Sequence, residues 1–217
     1  MDLMTQIAND KDCKTDKVGR YLNFYNSIFQ SKRTKYKKVC EIGVYKGQSI
    51  KLWLEYFPEA QVYAIDCVEK FYKQLPKHDR VTGFFGDSRV KTGAGENNAL
   101  GMAEFETKCG KDFDFILDDG THKTCAIQQS LASLFPLVKS GGWYIIEDIA
   151  ACMRKDGCAS KVDGSDRINT ALDVLKETGK MGKTAIHMSH EEIEYVENNT
   201  DRVVWHPNKT ACAIRKK

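Results

Sequence analysis

Apolar positions along the chain alternate between two rhythms. Val18, Tyr21, Leu22, Tyr25, Ile28 and Phe29 recur every three or four residues, which is one face of an amphipathic helix, with Asp16 placed to cap it. After the basic break SKRTKYKK, the run VCEIGV is short, apolar and closed by a glycine, as a buried strand entering a turn would be. Ser49 to Phe57 is helical in pattern and stops at Pro58, and VYAID (62–66) and VTGFFGD (81–87) read as further strands. The Gly- and Asn-rich KTGAGENN precedes a polar helix near Ala99 to Cys109. FDFILDDG (113–120) is then a strand ending in acids, followed by a helix carrying Ile127, Leu131, Leu134, Phe135 and Val138. Gly141 and Gly142 close that unit before the strand WYIIED (143–148). Strands alternating with helices predict a parallel sheet covered on both faces.

Beyond Ala150 the rhythm changes. A loop, ACMRKDGCASKVDGSD, leads to a helix with Ile168, Ala171, Leu172 and Leu175 on one face. TAIHMS, EIEYV, RVVWH and ACAIRK follow as β-like segments with short turns, so the sheet is expected to end in an antiparallel edge hairpin. At 217 residues the chain is the size of one domain. Its expected parts are an N-terminal helical cap (1–37), a cofactor and metal core (38–150), and an acceptor-rim loop, helix and C-terminal strands (151–217).

Composition narrows the function classes. Lys plus Arg is 33 against Asp plus Glu at 30, a net of +3 that implies neither a nucleic-acid track nor an anionic-membrane surface. The basic run at Lys32, Arg33, Lys35, Lys37 and Lys38 reads as a solvated helix end. No apolar run reaches the roughly 18 to 20 residues of a membrane span. The polar, acidic N-terminus MDLMTQIANDKDCKTDK lacks the pattern of a secretory signal, so a cytoplasmic protein with no membrane partner is expected. The eight scattered cysteines, with no CxxC pair, read as reduced thiols. A homo-oligomer is compatible with all of this.

The chemistry lies at the strand ends, where open parallel sheets bind their ligands. The first strand ends in Glu41-Ile42-Gly43-Val44-Tyr45-Lys46-Gly47, where two glycines let a cofactor lie against the backbone. Asp66 ends the second strand, placed to accept from a ribose diol, and Gly86-Asp87-Ser88 ends the third, where a carboxylate suits an adenine amino group. Tyr45 and Lys46 break the dinucleotide glycine pattern, which favours S-adenosylmethionine over NAD. A second constellation, Asp118-Asp119-Gly120-Thr121-His122 with Glu147-Asp148, concentrates acids that would repel one another unless neutralised. Oxygen-rich clusters of this kind suit Mg²⁺, and His122 beside one suits a general base. For single members the plain alternatives are a tight turn at Gly43, a helix cap at Asp118 and an exposed, structural His122.

Taken in order, T-D-K (15–17), E-I-G-V-Y-K-G (41–47), Asp66, G-D-S (86–88), L-D-D-G-T-H (117–122) and I-E-D (146–148) resemble the class I S-adenosylmethionine-dependent O-methyltransferases of the macrocin and mycinamicin sugar-methylating type. The likeness covers roughly residues 12 to 150. It implies a Rossmann-like α/β fold with a mostly parallel seven-stranded sheet, an antiparallel C-terminal edge hairpin and helices on both faces. It also implies Mg²⁺ ligands at Asp119, Glu147 and Asp148, a catalytic base at His122, and a sugar or glycoside acceptor such as a rhamnoside. Lys17, Glu41, Gly43, Asp66 and Asp87, with Tyr45, Gly47, Ser49, Ser88 and Asp118 around them, form the expected cofactor-contacting set. A catechol-type O-methyltransferase, an iron-dependent hydroxylase and a non-catalytic cofactor-binding module are the rival readings.

Overall fold

The computed structural model describes residues 1–15, 17, 19–149 and 187–217. Its seven strands are β1 (Lys38–Ile42), β2 (Gln61–Asp66), β3 (Val81–Phe85), β4 (Phe113–Asp118), β5 (Val138–Ile146), β6 (Thr200–Trp205) and β7 (Cys212–Lys216). They form one sheet in the order β3-β2-β1-β4-β5-β7-β6. The pairs from β3 to β5 are parallel, whereas β7 runs antiparallel to both β5 and β6. Among the described strands β7 is thus the single reversed one, slotted between two that share the common direction. The α/β class and the C-terminal hairpin agree with the sequence reading.

Around the sheet lie α1 (Leu3–Asn9), α2 (Gly19–Phe29), α3 (Gln48–Tyr56), the single turn α4 (Glu69–Tyr72), α5 (Met102–Cys109), α6 (Thr124–Leu134) and α7 (His190–Asn199). Each face of the sheet has its own core. Cys40 and Ile42 of β1 point to the face covered by α5, α6 and α7, with Phe105, Leu131 and Val196. Val39 points to the other, where Tyr25 and Phe29 of α2 meet Trp53 of α3 and Phe115 of β4. That second core is largely aromatic, with the Phe29 and Phe115 rings stacked at 4.6 Å. Full burial of such rings contributes roughly 1.5–3 kcal/mol each, which anchors α2 over the sheet.

Several expectations need correction. EIEYV is helical, not β-like: Ser189 caps α7 and Glu192 completes the capping box. Its Ile193 and Val196, three apart, pack on the core, so helical spacing and not alternation decides the segment. Of TAIHMS, His187 to Ser189 form a turn and Thr184 to Ile186 lie outside the described residues. β5 begins at Val138 and runs through Gly141 and Gly142, which were expected to precede it. Gly142 sits where a Cβ would come within 2.8 Å of the Asp114 carbonyl, so the glycine pair serves close strand approach. The Asp16 cap, the 151–166 loop and the Ile168–Leu175 helix lie outside the described residues. Cys13, Cys40, Cys67, Cys109 and Cys212 are free thiols. Among the described residues no helix is long and apolar enough to cross a membrane.

Candidate active site

β1 lies at the point where the chain, having built outward through β2 and β3, returns to add β4 on the other side. Loops leaving such a point diverge and open a crevice. Here the crevice is a cleft of about 460 Å³ lined from the ends of all five parallel strands. Gly43 makes it possible: its φ is +95°, and a Cβ there would stand 2.3 Å from the Asp119 carbonyl oxygen. Three non-glycine residues on the wall, Tyr45, His122 and Asp148, have φ of 48°, 56° and 50°. Left-handed backbone at such residues is stored strain of the kind found at ligand sites.

One end of the cleft carries Asp66, Asp87 and Ser88, the residues expected to meet a nucleoside. Asp66 accepts the backbone N–H of Val44 and of Val68, each at 2.8 Å, which fixes its carboxylate across the glycine turn. Asp87 is almost fully buried and accepts a fork from Arg89, Nε at 2.8 Å and Nη2 at 2.7 Å, plus the Glu96 N–H at 3.0 Å. Burial opposes its charge, but the Arg89 hydrogen bonds prevail and hold its carboxyl below the usual range. Ser88 lines the same end and its hydroxyl accepts from Ser130 at 2.8 Å. Tyr45 stands half-exposed at the rim with its ring edge-on to Phe71.

The other end collects acids. Lys17 is buried, and its ammonium reaches Glu147 at 2.5 Å, Asp119 at 2.9 Å and Glu41 at 3.1 Å. Burial works against that charge, but the three carboxylates raise the lysine pKa well above its ordinary value. Burial and the neighbouring Asp119 push Glu147 up to about 8, against the pull of Lys17. Burial likewise lifts Asp118 to about 7, its hydrogen bonds from the Gly120 N–H and the Tyr144 hydroxyl opposing. Tyr25 donates to Glu147, and Tyr21 donates to Asp148 at 2.5 Å. His122 Nε2 lies 3.8 Å from Asp119 and 3.9 Å from Asp148. One potential ligand atom from each of Asp119, His122 and Asp148 falls within 4.8 Å of the others. Two converging carboxylates beside an imidazole suit a hard divalent cation, so the residues fit the expected metal.

Of the sequence-derived residues, Lys17, Gly43, Tyr45, Asp66, Asp87, Ser88, Asp118, Asp119, His122, Glu147 and Asp148 all line the cleft. Glu41, Gly47 and Ser49 do not. Glu41 lies behind the wall, between Lys17 and the Trp53 indole, which donates to it at 2.8 Å. Gly47, at φ +71°, packs against the Gln74 backbone. Tyr25 and Arg89 were missed. Tyr25 had a signal in its spacing of four from Tyr21, masked because both fit the apolar face of α2. Arg89, two residues past Asp87, has no pattern in the sequence that marks it.

A switch-point cleft with acids at the ends of β2 and β3 and a glycine turn after β1 is the layout of the α/β proteins that bind nucleoside cofactors. Within that class, the chain belongs to the family described as "Methyltransferase domain", whose sequence profile matches residues 40–149. It is similar to mycinamicin VI 2''-O-methyltransferase of Micromonospora griseorubida, 31% identical over 159 residues, covering 70% of this chain and 37% of that protein. It is also similar to a tetracenomycin rhamnosyl 3'-O-methyltransferase of Streptomyces olivaceus, 28% identical over 176 residues, covering 75% of this chain and 42% of that one. Among solved structures, MycE methyltransferase of the mycinamycin biosynthetic pathway, in complex with Mg and SAH, superposes with a TM-score of 0.71. The identity is 26%, over 98% of this chain and 54% of MycE. The chain thus spans between about a third and about half the length of the curated relatives and of the solved structure it matches.

Proposed function

We propose that the chain is an S-adenosylmethionine-dependent O-methyltransferase that methylates a sugar hydroxyl, assisted by a divalent cation, Mg²⁺ first among them. The observation that carries this reading is the convergence of Asp119, His122 and Asp148 at one end of a cleft whose other end holds the nucleoside-type acids Asp66 and Asp87. The acceptors in the names of the two similar enzymes support a glycoside, with rhamnose the sugar named in one.

Asp119 and Asp148 are the acids that would hold the cation, with Glu147 a third whose Oε1 is committed to Lys17 and Tyr25. When bound, the cation supplies polarisation that lowers the pKa of a sugar hydroxyl, and the donor supplies a methyl group on sulfonium. His122, at the edge of both acids, takes the hydroxyl proton. Asp66 and Asp87, fixed by backbone and Arg89 donors, would hold the ribose and adenine of the donor. Gly43, by letting the loop after β4 close onto the β1 turn, shapes the wall against which the donor would be held. Methyl transfer is a direct displacement, so these residues accelerate it by position and charge, without a covalent enzyme intermediate. Catechol acceptors remain the rival within the same chemistry.

The test is transfer of labelled methyl from S-adenosylmethionine to rhamnosides, other glycosides and catechols, with Mg²⁺ and again with EDTA. Transfer to a glycoside that EDTA abolishes is the expected result; EDTA-resistant transfer removes the cation from the reading, and transfer to catechol alone removes the sugar. Asp119→Asn is expected to abolish cation-dependent turnover while S-adenosylhomocysteine still binds, measured by calorimetry. His122→Ala is expected to lower turnover by about a hundredfold or more.

A further inference from the structure

Lys17, Tyr21 and Tyr25 follow one another at intervals of four, and each holds a carboxylate of the acid cluster. Two of them divide the oxygens of their partner. Lys17 Nζ takes Asp119 Oδ2 at 2.9 Å, and the other oxygen, Oδ1, faces His122 Nε2 at 3.8 Å. Tyr21 donates to Asp148 Oδ1 at 2.5 Å, and Oδ2 faces the same ring nitrogen at 3.9 Å. Each acid is tied back to the N-terminal element by one oxygen and turns the other toward a shared point in the cleft.

Asp148 depends on such a tie more than Asp119 does. Its side chain is 43% exposed and its backbone is left-handed, so without a partner it would sample several rotamers. Tyr21 is itself braced on two sides. Its ring lies against Tyr25 at 6.3 Å and against the buried His206 at 5.7 Å. Its hydroxyl also meets the Thr210 side chain. The Thr210 carbonyl in turn accepts the N–H of Ile149, the residue after Asp148, at 2.9 Å. The β6–β7 hairpin therefore holds both the tyrosine and the loop that carries its acid.

On the reading of this end as a divalent-cation site, we propose that Tyr21 is a positioning residue that commits Asp148 Oδ1 and so presents Oδ2 to the cation as a single-oxygen ligand. Outer hydrogen bonds that orient a ligand typically change metal affinity by about 10- to 100-fold.

The test is calorimetric titration of the purified full chain with Mn²⁺ alone, without donor or acceptor. Tyr21→Phe keeps the ring packing and removes the hydroxyl; a Mn²⁺ affinity lower by about 10- to 100-fold, with S-adenosylhomocysteine binding unchanged, is the expected result. In an Asp148→Asn background the same change is expected to add nothing, because its route is through that carboxylate. Wild-type Mn²⁺ affinity in Tyr21→Phe overturns the positioning role and leaves the cation site standing. A wild-type chain that binds no Mn²⁺ overturns both, and a full additional loss in the Asp148→Asn background overturns the route. Should Tyr21→Phe unfold, Thr210→Val, which leaves the tyrosine in place without its brace, is expected to weaken Mn²⁺ in the same direction; unchanged affinity there overturns the proposal.

Discussion

Gly43 is where the β1 turn and the loop after β4 come into contact. Its backbone is left-handed, and the space a Cβ would need is filled by the Asp119 carbonyl, which cannot swing away as a side-chain tip would. Gly43→Ala therefore combines backbone strain of roughly 1–2 kcal/mol with a forced separation of the two loops. A lower urea midpoint together with lost S-adenosylhomocysteine binding is the expected outcome; retention of both would mean the turn relaxes without moving the wall. Asp87 makes a different, pH-dependent prediction. Its carboxyl is held below the ordinary value by Arg89, so the folded state binds fewer protons there than the unfolded state does. The stabilisation is fully present above the unfolded value of about 4 and is lost as pH falls through the depressed folded value. The unfolding free energy of the wild type should exceed that of Asp87→Asn by a constant amount near neutrality, and the gap should close in the acid range. The carboxylates of the cleft were legible because acids recur at the ends of successive strands, where an open α/β sheet binds its ligands. Arg89 was not, since only the fold shows that its guanidinium turns back onto Asp87.

Elements were legible where a single period was long enough to decide. α2 and α6 carry several apolar residues at helical spacing, and β1, β2 and β4 are apolar runs that end in glycine or acids. α7 was not, because Ile193 and Tyr195 alternate with glutamates over the few residues that the β pattern needs. What settles it is the local chemistry at its start: the Ser189 hydroxyl accepts the Glu192 N–H at 3.2 Å, and the Glu192 carboxylate accepts the Ser189 N–H at 2.9 Å. Ser189→Ala should cost about 1 kcal/mol and loosen the first turn, read as faster amide exchange at residues 191 to 193. Protection unchanged from the wild type would mean that packing of Val196 on the core alone holds the helix. The short α1 was missed for a related reason: its signal is the Asp2 cap accepting from Thr5, on a helix of seven residues. The position of β7 between β5 and β6 follows from hydrogen bonding across the sheet, which no local pattern encodes.

At the scale of the whole molecule, one ammonium group joins parts that lie far apart in the sequence. Lys17 precedes α2, yet its partners are Glu41 on β1, Asp119 after β4 and Glu147 after β5. The cap is thereby bound to the cleft by charge as well as by the aromatic packing of Tyr25 and Phe29. Removing one partner from a buried ion pair is expensive because the other is left without compensation, typically about 3–5 kcal/mol. Lys17→Met, which keeps the length of the side chain, should therefore lower the melting temperature sharply in EDTA. Three acids would then lie close together with that cation gone, and their repulsion favours any cation that can enter. A ligand that binds the folded state stabilises it in proportion to the logarithm of its occupancy, so Mg²⁺ should raise the melting temperature of Lys17→Met more than that of the wild type. Thermal unfolding of both proteins, each in EDTA and in Mg²⁺, measures the two effects separately. A large loss in EDTA with no Mg²⁺ response in either protein would make Lys17 a purely structural tie and place the cation elsewhere. A larger Mg²⁺ response in the variant would show that lysine and metal neutralise the same carboxylates, which would link the N-terminal segment to cation binding at the acidic end of the cleft.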